Sequence, residues 1–188
     1  TYFIAGANGG IIKTTNGGTT FKPVFDGQSV ASIGAIAVAP SNPNVVYAGT
    51  GEGNPRNNAS IGDGVYRSID GGEHWTRMGL EKSERIARLV VDSRDADIVY
   101  ACALGREWGP NDERGVFRST DNGDNWTLVN NGLTSTDIGA LAINANGDIF
   151  AGTHSQFGVG GGMFRSTDNG DTWTEQNSGF TALDVAEG

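Results

Sequence analysis

Ser119-Thr120-Asp121-Asn122-Gly123-Asp124-Asn125-Trp126 is the stretch that decides the fold. Related stretches occur at 166–173, at 68–75 and, in a degraded form, at 14–21. We call this element the corner motif, with the pattern Ser/Thr-x-Asp/Asn-x-Gly-x-x-Trp/Phe. Successive copies begin 54, 51 and 47 residues apart, and such a recurrence is typical of a repeat architecture.

Each copy of the corner motif predicts a tight corner between two strands. Glycine at the fifth position permits a positive φ in the turn. The Asp or Asn at the third position can accept hydrogen bonds from backbone N–H groups across its own turn, and the closing aromatic residue can fold onto the hairpin. The residues assigned to bracing these corners are Asn16, Gly18, Phe21, Asp70, Gly72, Trp75, Asp121, Gly123, Trp126, Asp168, Gly170 and Trp173.

Short apolar runs separated by Gly, Asn and Pro surround each motif, and no window has a convincing helical period. Four-stranded units repeated at this length indicate β-propeller blades. The sequence therefore predicts a single all-β domain over residues 1–188, a β-propeller with four four-stranded blades. The predicted blades are residues 181–188 together with 1–25, then 33–78, 86–129 and 138–176.

One strand of each predicted blade carries small and aliphatic residues on both faces, which suits the crowded centre of a propeller. These strands are 33–39, 86–91, 138–143 and 181–186. The chain begins with the later strands of a blade, so we expect the strand at 181–186 to complete the first blade. It can do so within one chain, as a four-bladed ring, or between two chains, as an eight-bladed ring.

A basic residue recurs at one position of the third strand of every blade. The four residues are Lys13, Arg67, Arg118 and Arg165. Their regular placement predicts a structural pairing with a neighbouring blade or turn.

Composition excludes several classes of function. The net charge of -9 argues against nucleic acid as a partner, since nucleic-acid binding needs basic patches. No apolar run reaches the length that a membrane-spanning helix needs, so no membrane insertion is expected. Residues 1–20 also lack the pattern of a signal peptide. The single cysteine, Cys102, lies in an apolar run and is expected to be buried and inert.

The four motifs resemble the Asp-box (BNR) repeats of sialidases, sortilin-like receptors, xyloglucanases and photosystem-assembly propellers, over the whole chain. Residues 41–75 are similar to the first blades of sortilin-like bacterial BNR-repeat proteins, and the chain from about residue 119 resembles a more uniform BNR array. This change indicates duplicated blades, a truncated propeller or an engineered joining of pieces. The resemblance implies a structural role for the motif carboxylates and a secreted or periplasmic location. The carboxylates of one motif are also too few to hold calcium.

Propellers usually bind ligands on the face that carries the loops between the second and third strands. Here those loops, at 7–9, 51–63, 104–114 and 154–161, differ most in length, and long loops on a rigid scaffold often carry function. The candidate ligand-binding residues are Glu52, Asn54, Arg56, Arg106, Glu107, Trp108 and His154. They can stack on a sugar or hold an acidic group. Alternatively, Trp108 packs the loops together and the charges form a solvated rim.

Enzymatic readings find little support in the sequence. The Arg triad, Tyr nucleophile and Arg-Ile-Pro stretch of a sialidase are not identifiable. A xyloglucanase-like enzyme needs two carboxylates facing a cleft between two large propellers, and nothing in the sequence sets the separation of Glu52 and Glu107. We therefore predict a non-catalytic structural or interaction module without cofactor or metal, whose partner is a second copy, a glycan or a protein. The alternative is a carbohydrate-binding or glycoside-hydrolase-related domain that uses the loop face.

Overall fold

The computed structural model describes residues 1–54, 58–109, 111–154 and 161–178. Its strands are β1 (Tyr2–Gly6), β2 (Gly10–Thr14), β3 (Lys22–Pro23), β4 (Ile33–Val38), β5 (Val46–Thr50), β6 (Val65–Ser68), β7 (Thr76–Arg77), β8 (Ile86–Val91), β9 (Val99–Ala103), β10 (Gly115–Ser119), β11 (Thr127–Leu128), β12 (Ile138–Ile143), β13 (Ile149–Thr153), β14 (Gly162–Ser166) and β15 (Thr174–Glu175). A 3-10 turn, Glu81–Ser83, precedes β8. Within these ranges, no helix is long and apolar enough to span a membrane.

The strands form four antiparallel sheets, each in simple chain order. The first sheet is β1-β2-β3, and the other three are β4 to β7, β8 to β11 and β12 to β15. The predicted all-β propeller with four blades is confirmed, although the outermost strands are only two residues long. The predicted closing strand at 181–186 lies outside the described residues. Among the residues that are described, the inner edge of β1 has no strand beside it.

Neighbouring blades are held together by apolar cores. Alternation along each middle strand sends one side chain to the preceding blade and the next to the following blade. Thus Val46 packs in the core between the first two blades, whereas Tyr47 packs in the core between the second and third. The core between the third and fourth blades includes Tyr100 and Phe164. The described residues thus form three such cores between four blades.

The closing tryptophan of each complete motif forms a second link between blades. The indole Nε1 of Trp126 donates to the carbonyl of Met78 in the preceding blade at 2.7 Å. Trp75 donates in the same way to Val24 at 2.8 Å, and Trp173 to Val129 at 2.6 Å. Each carbonyl follows the outermost strand of its blade, so the indole joins the outer rims of adjacent blades.

The recurring basic residue forms a third link, toward the following blade. Arg67 Nη1 donates to the backbone carbonyl of Asn122 at 2.6 Å, inside the next corner motif. Arg118 Nη1 donates to the carbonyl of Asn169 at 2.7 Å, and it also pairs with the Asp171 carboxylate. Lys13 reaches the second motif through the carboxylate of Glu73. The predicted pairing with a neighbouring blade is therefore confirmed for these three residues.

We expect Trp126→Phe to destabilise the fold by about 1–2 kcal/mol, because it keeps an aromatic ring but leaves the Met78 carbonyl without its donor. The free energy of unfolding from urea denaturation measures this loss. Trp108→Phe is the matched control, since the Trp108 side chain is exposed and the same change there should alter stability by less than about 0.5 kcal/mol. Equal losses in the two variants would contradict a specific role for the indole bond.

Candidate functional site

The corner motifs close around a buried serine. In the third copy, Ser119 Oγ accepts hydrogen bonds from the backbone N–H of Gly123 at 2.8 Å and of Asp121 at 3.2 Å. The Ser119 hydroxyl donates to Asp121 Oδ1 at 2.8 Å, and the same oxygen accepts the backbone N–H of Asn125 at 2.9 Å. The serine and the aspartate together satisfy the donors of the turn, so this pair needs no ligand to hold its shape.

The other copies of the motif repeat this arrangement. The fifth-position glycines have φ between 88° and 95°, as the sequence predicts. The fourth position is also left-handed, with φ of 61° at Asn122 and 59° at Asn169, a feature that the sequence analysis did not anticipate. In the degraded first copy, Asn16 Oδ1 accepts the backbone N–H of Thr20 at 3.0 Å, so an amide replaces the carboxylate without loss of the turn.

Hydrogen bonds within the motifs stabilise the charged form of their carboxylates. The hydroxyl and backbone N–H of Thr172 hold the pKa of Asp168 at about 2. Donors from Asn125 lower the pKa of Asp121, and donors from His74 lower that of Asp70. In the part of the chain that the structure describes, no group of three or more His, Cys, Asp or Glu side chains is arranged to hold a metal ion.

The opposite face of the molecule carries the long loops, and the described residues there line at least two cavities. The first, which we call the axial cavity, has a volume of about 300 Å³ and lies where the inner strands β4, β8 and β12 begin. Its lining includes Gly34, Glu52, Asn54, Ala87, Arg88 and Gly139. Each inner strand has a register irregularity within its first three residues, which turns the backbone at the cavity rim.

Glu52 is a fixed part of the axial cavity. Its side chain is buried, and its Oε2 accepts the backbone N–H of Ser60 at 3.1 Å. The backbones of the same two residues are also joined, from Glu52 N–H to the Ser60 carbonyl at 2.9 Å. Ser60 Oγ in turn donates to Asn8 of the first blade at 2.7 Å. Glu52 therefore anchors the 51–63 loop across the first two blades.

The second cavity, which we call the interblade cleft, has a volume of about 510 Å³. It is lined by Ile61, Gly62, Glu81, Lys82, Glu84, Arg106, Asn111, Asp112 and Glu113. Arg106 Nε donates to Glu84 Oε1 at 3.1 Å, and Glu113 Oε2 accepts the backbone N–H of Lys82 at 2.8 Å. These bonds fix the 104–114 loop against the 3-10 turn and shape a polar groove.

The predicted ligand-binding residues thus fall in several places. Glu52 and Asn54 line the axial cavity, and Arg106 lines the interblade cleft. Glu107 binds the guanidinium of buried Arg85, which assigns it to holding its loop. The other three predicted residues are Trp108, exposed by 74%, His154, an exposed residue beside Gly139, and Arg56, which lies outside the described residues.

Sequence reasoning missed Arg88, which projects from β8 into the axial cavity. Its register position, opposite Cys102 of β9, is equivalent to Ala35 of β4 and Ala140 of β12. The other two blades have alanine at this position, so the arginine departs from the repeat. This departure is the sequence feature that could have identified Arg88.

Cys102 itself is fully buried, and its Sγ lies 2.8 Å from the carbonyl of Ile138. Burial raises the pKa of the Cys102 thiol far above its ordinary value. The expectation of a buried, unreactive cysteine is therefore supported by the structure.

No protein-family model matches the chain, and no curated protein matches its sequence. Solved structures do match its fold. The GH74 enzyme of Niastella koreensis has a TM-score of 0.68 and 24% identity, covering 92% of this chain and 27% of its own. An ancestral GH74 enzyme has a TM-score of 0.68 and 21% identity, and the match covers 93% of this chain and 22% of that enzyme. The GH74 xyloglucanase of Xanthomonas campestris has a TM-score of 0.67 and 20% identity, and the match covers 95% of this chain and 29% of that enzyme.

These matches show the β-propeller fold and nothing finer, because their sequence identities are low. The chain spans about a quarter of the length of these three structures.

The hydrogen bonds of Asp168 predict a specific dependence of stability on pH. Its folded pKa of about 2 lies below its unfolded value, so its contribution is present above about pH 4 and is lost as the pH falls through about 2. We expect Asp168→Asn to be less stable than the wild type at about pH 6, with the difference shrinking toward about pH 2. Urea midpoints measured across this range test it.

Asp112→Asn is the control for that series, because the Asp112 side chain lines the interblade cleft and lies outside the motifs. A stability difference between wild type and Asp168→Asn that stays constant down to the lowest pH would contradict the assigned role of the carboxylate.

Proposed function

We propose that this chain is a non-catalytic interaction module, whose two end blades pack against the end blades of a second copy. The observation that carries the proposal is the exposure of apolar side chains on the end blades, at positions that are fully buried in the interior blades. The loop face adds a second candidate function, carbohydrate binding. The matched structures, which include the extracellular domain of a putative one component system of B. thetaiotaomicron, support a location outside the cytoplasm.

The first blade presents one apolar face that nothing in the described structure covers. Tyr2 and Ile4 of β1 are exposed by 63% and 51%. By register with the third strand, they are equivalent to Val46 and Ala48 of the second blade, both of which are 0% exposed. The exposed positions therefore have the pattern of an interblade core without its second half.

The fourth blade presents the complementary face. Met163 of β14 is 42% exposed, and Phe150 of β13 is partly exposed. The equivalents of Met163 are Val65 and Val116, which are 0% exposed because the following blade covers them. A further blade placed after the fourth would bury this face in the same way.

The polar links point to the same partner. Arg165 occupies the position from which Arg67 and Arg118 reach the next corner motif, but it bonds instead to Asp148 of its own blade at 2.6 Å. The first corner motif, in turn, has no preceding blade in the described chain. In an assembly, Arg165 of one copy can donate to the carbonyl of Gly17 in the other, since Gly17 holds the place of Asn122.

A second copy satisfies both ends at once. The fourth blade of each copy then covers the first blade of the other, so two equal interfaces close one eight-bladed ring. Each contact would repeat the geometry already present between blades, with two differences. The first sheet has no inner strand among the described residues. Phe21 replaces the tryptophan of the other motifs, so the indole bond is missing from this interface and apolar burial with the Arg165 link must stabilise it.

Carbohydrate binding is the second candidate, and the exposed ring of Trp108 favours it. Trp108 belongs to the loop that supplies Arg106 and Asn111 to the interblade cleft. An exposed indole on a loop that borders a polar groove can stack on a sugar ring while side chains of the groove bind its hydroxyl groups. The cleft is within the range of volumes that small-molecule sites have.

Light scattering tests the assembly directly. We expect a mass of twice the 19.6 kDa of one chain, at about 0.15 M salt to screen the repulsion between acidic copies. Ile4→Asp should weaken the dimer at least about tenfold, because it puts a charge into the apolar interface. Ile69→Asp is the matched control, since Ile69 is 69% exposed on an interior blade and its change should leave the mass of the assembly unaltered.

Other outcomes identify other occupants of the end faces. A mass of one chain at every concentration contradicts the proposal, and a stability loss on deleting residues 179–188 would then show that the chain's own end covers β1. A mass that grows without limit contradicts the closed pair. Arg165→Ala should weaken the dimer and lower the stability of the dissociated chain by less than Arg118→Ala does, because Arg165 loses only a bond within its own blade, whereas Arg118 loses its link to the next blade.

For the second candidate, we expect any oligosaccharide retained on a glycan array to be lost with Trp108→Ala. Loss of a stacking ring costs about 1 kcal/mol, which corresponds to about a fivefold drop in affinity. Phe21→Ala, which removes an exposed ring on the opposite face, is the control and should leave glycan binding intact. An array without any retained glycan, or retention unaffected by Trp108→Ala, would contradict this function.

A further inference from the structure

Among the described arginines, Arg88 is the one whose side chain is not bonded to another part of the fold. Most of the described arginines make ion pairs or hydrogen bonds that hold strands or loops, such as Arg67, Arg85 and Arg118. Even Arg114, which has no ion pair, donates to backbone carbonyls of its loop. The Arg88 side chain is exposed and, among the described residues, forms neither an ion pair nor a hydrogen bond.

The blade itself does not require an arginine at this position. Ala35 and Ala140 hold the equivalent places in the neighbouring inner strands and pair with β5 and β13 in the same register. Alanine therefore satisfies the local packing of an inner strand. The Arg88 guanidinium is therefore not needed for the packing of this inner strand, and it lines a cavity where a ligand can reach it.

The rest of the axial cavity favours a small ligand with an acidic group. Gly34 and Gly139 line it, on the two inner strands that flank β8. A Cβ on Gly34 would lie 2.4 Å from the backbone carbonyl oxygens of Gly51 and Ile86, so this glycine is required by the close approach of the blades. The resulting volume of about 300 Å³ is at the lower end of small-molecule sites.

We propose that the axial cavity binds a small carboxylate through Arg88, and that the ligand carries a hydroxyl or ammonium group next to its carboxylate. The planar guanidinium matches a carboxylate with two parallel hydrogen bonds. Asn54 lines the same cavity and offers an acceptor oxygen to a donor group on the ligand. The negative charge of Glu52, which is held by Ser60, disfavours a bare anion. The site thus selects hydroxy acids or amino acids over simple anions.

The proposed class of ligand depends on the charges around Arg88 as well as on the volume of the cavity. Glu52 and Asp137 are the acidic groups near this part of β8, since Asp137 and Arg88 both act on the buried Cys102 thiol. Asp137 uses its backbone carbonyl to accept the His154 N–H at 2.8 Å. One guanidinium and two carboxylates leave an excess of one negative charge near the site, so a ligand with both an acidic and a donor group suits it better than a dianion.

A titration observed at Arg88 tests the proposal. The full chain labelled with 15N is titrated with L-lactate, with L-alanine and, as a neutral match, with lactamide, while the Nε–Hε signal of Arg88 is followed by NMR. We expect a saturable shift of that signal with lactate or alanine at millimolar concentrations, and a response at least about tenfold weaker with lactamide. The lactate and alanine arms show whether the hydroxyl or the ammonium group is preferred.

Arg88→Ala supplies the decisive variant. It should fold, because alanine occupies the equivalent position in two other blades, and unchanged thermal unfolding confirms this. We expect it to lose the shifts of Asn54 and of the other cavity signals on titration. Lys22→Ala, which removes one positive charge on an exposed side chain, should retain them.

No shift at Arg88 up to about 50 mM ligand, an equal response to lactamide, or unchanged binding by Arg88→Ala would each overturn the proposal. The result is independent of the proposed dimer, because the mass measured by light scattering does not depend on Arg88.

Discussion

The burial of both faces of every blade is the constraint on which this structure depends. Middle strands such as β5 are apolar on both sides, because Val46 packs toward one neighbour and Tyr47 toward the other. A row of four such sheets has three internal interfaces and two end faces with the same chemistry. Burial of apolar surface stabilises each interface, so the ends of the row retain the same tendency to pack. Tyr2 and Met163 are apolar residues that remain exposed on these two end faces.

The corner motif made most of the fold predictable from the sequence, because its bonds are local. Ser119, Asp121 and Gly123 satisfy one another within a single turn, so the spacing alone fixes the turn and the ends of the strands beside it. The links between blades were harder to predict from the sequence. The Trp126 indole binds a carbonyl that is 48 residues earlier, and only the rotation between blades brings the two together. The pairing of the basic residues was predictable, because the same position recurred in four units.

The candidate site was predictable only in part. Loop length pointed to the face that carries the axial cavity and the interblade cleft. It did not separate residues that hold loops, such as Glu107 with Arg85, from residues that line a cavity. The partners of the loop residues come from other loops and from the 3-10 turn, which no local pattern encodes. Arg88 could have been found by aligning the inner strands, because the equivalent residues of the blades before and after it are Ala35 and Ala140. That its side chain is exposed could be learned only from the structure.

The register of the repeats also bears on the proposed assembly. The spacing from the motif aromatic to the first residue of the next inner strand is the same from Phe21 to Ile33 as from Trp126 to Ile138. The same spacing counted along the sequence from Trp173 reaches Val185, which lies beyond the start of the predicted strand at 181–186. A strand in this later register would pair with β1 through different side chains. The packing of whole blade faces, which is independent of this register, is therefore the firmer basis for an assembly than the exchange of a single strand.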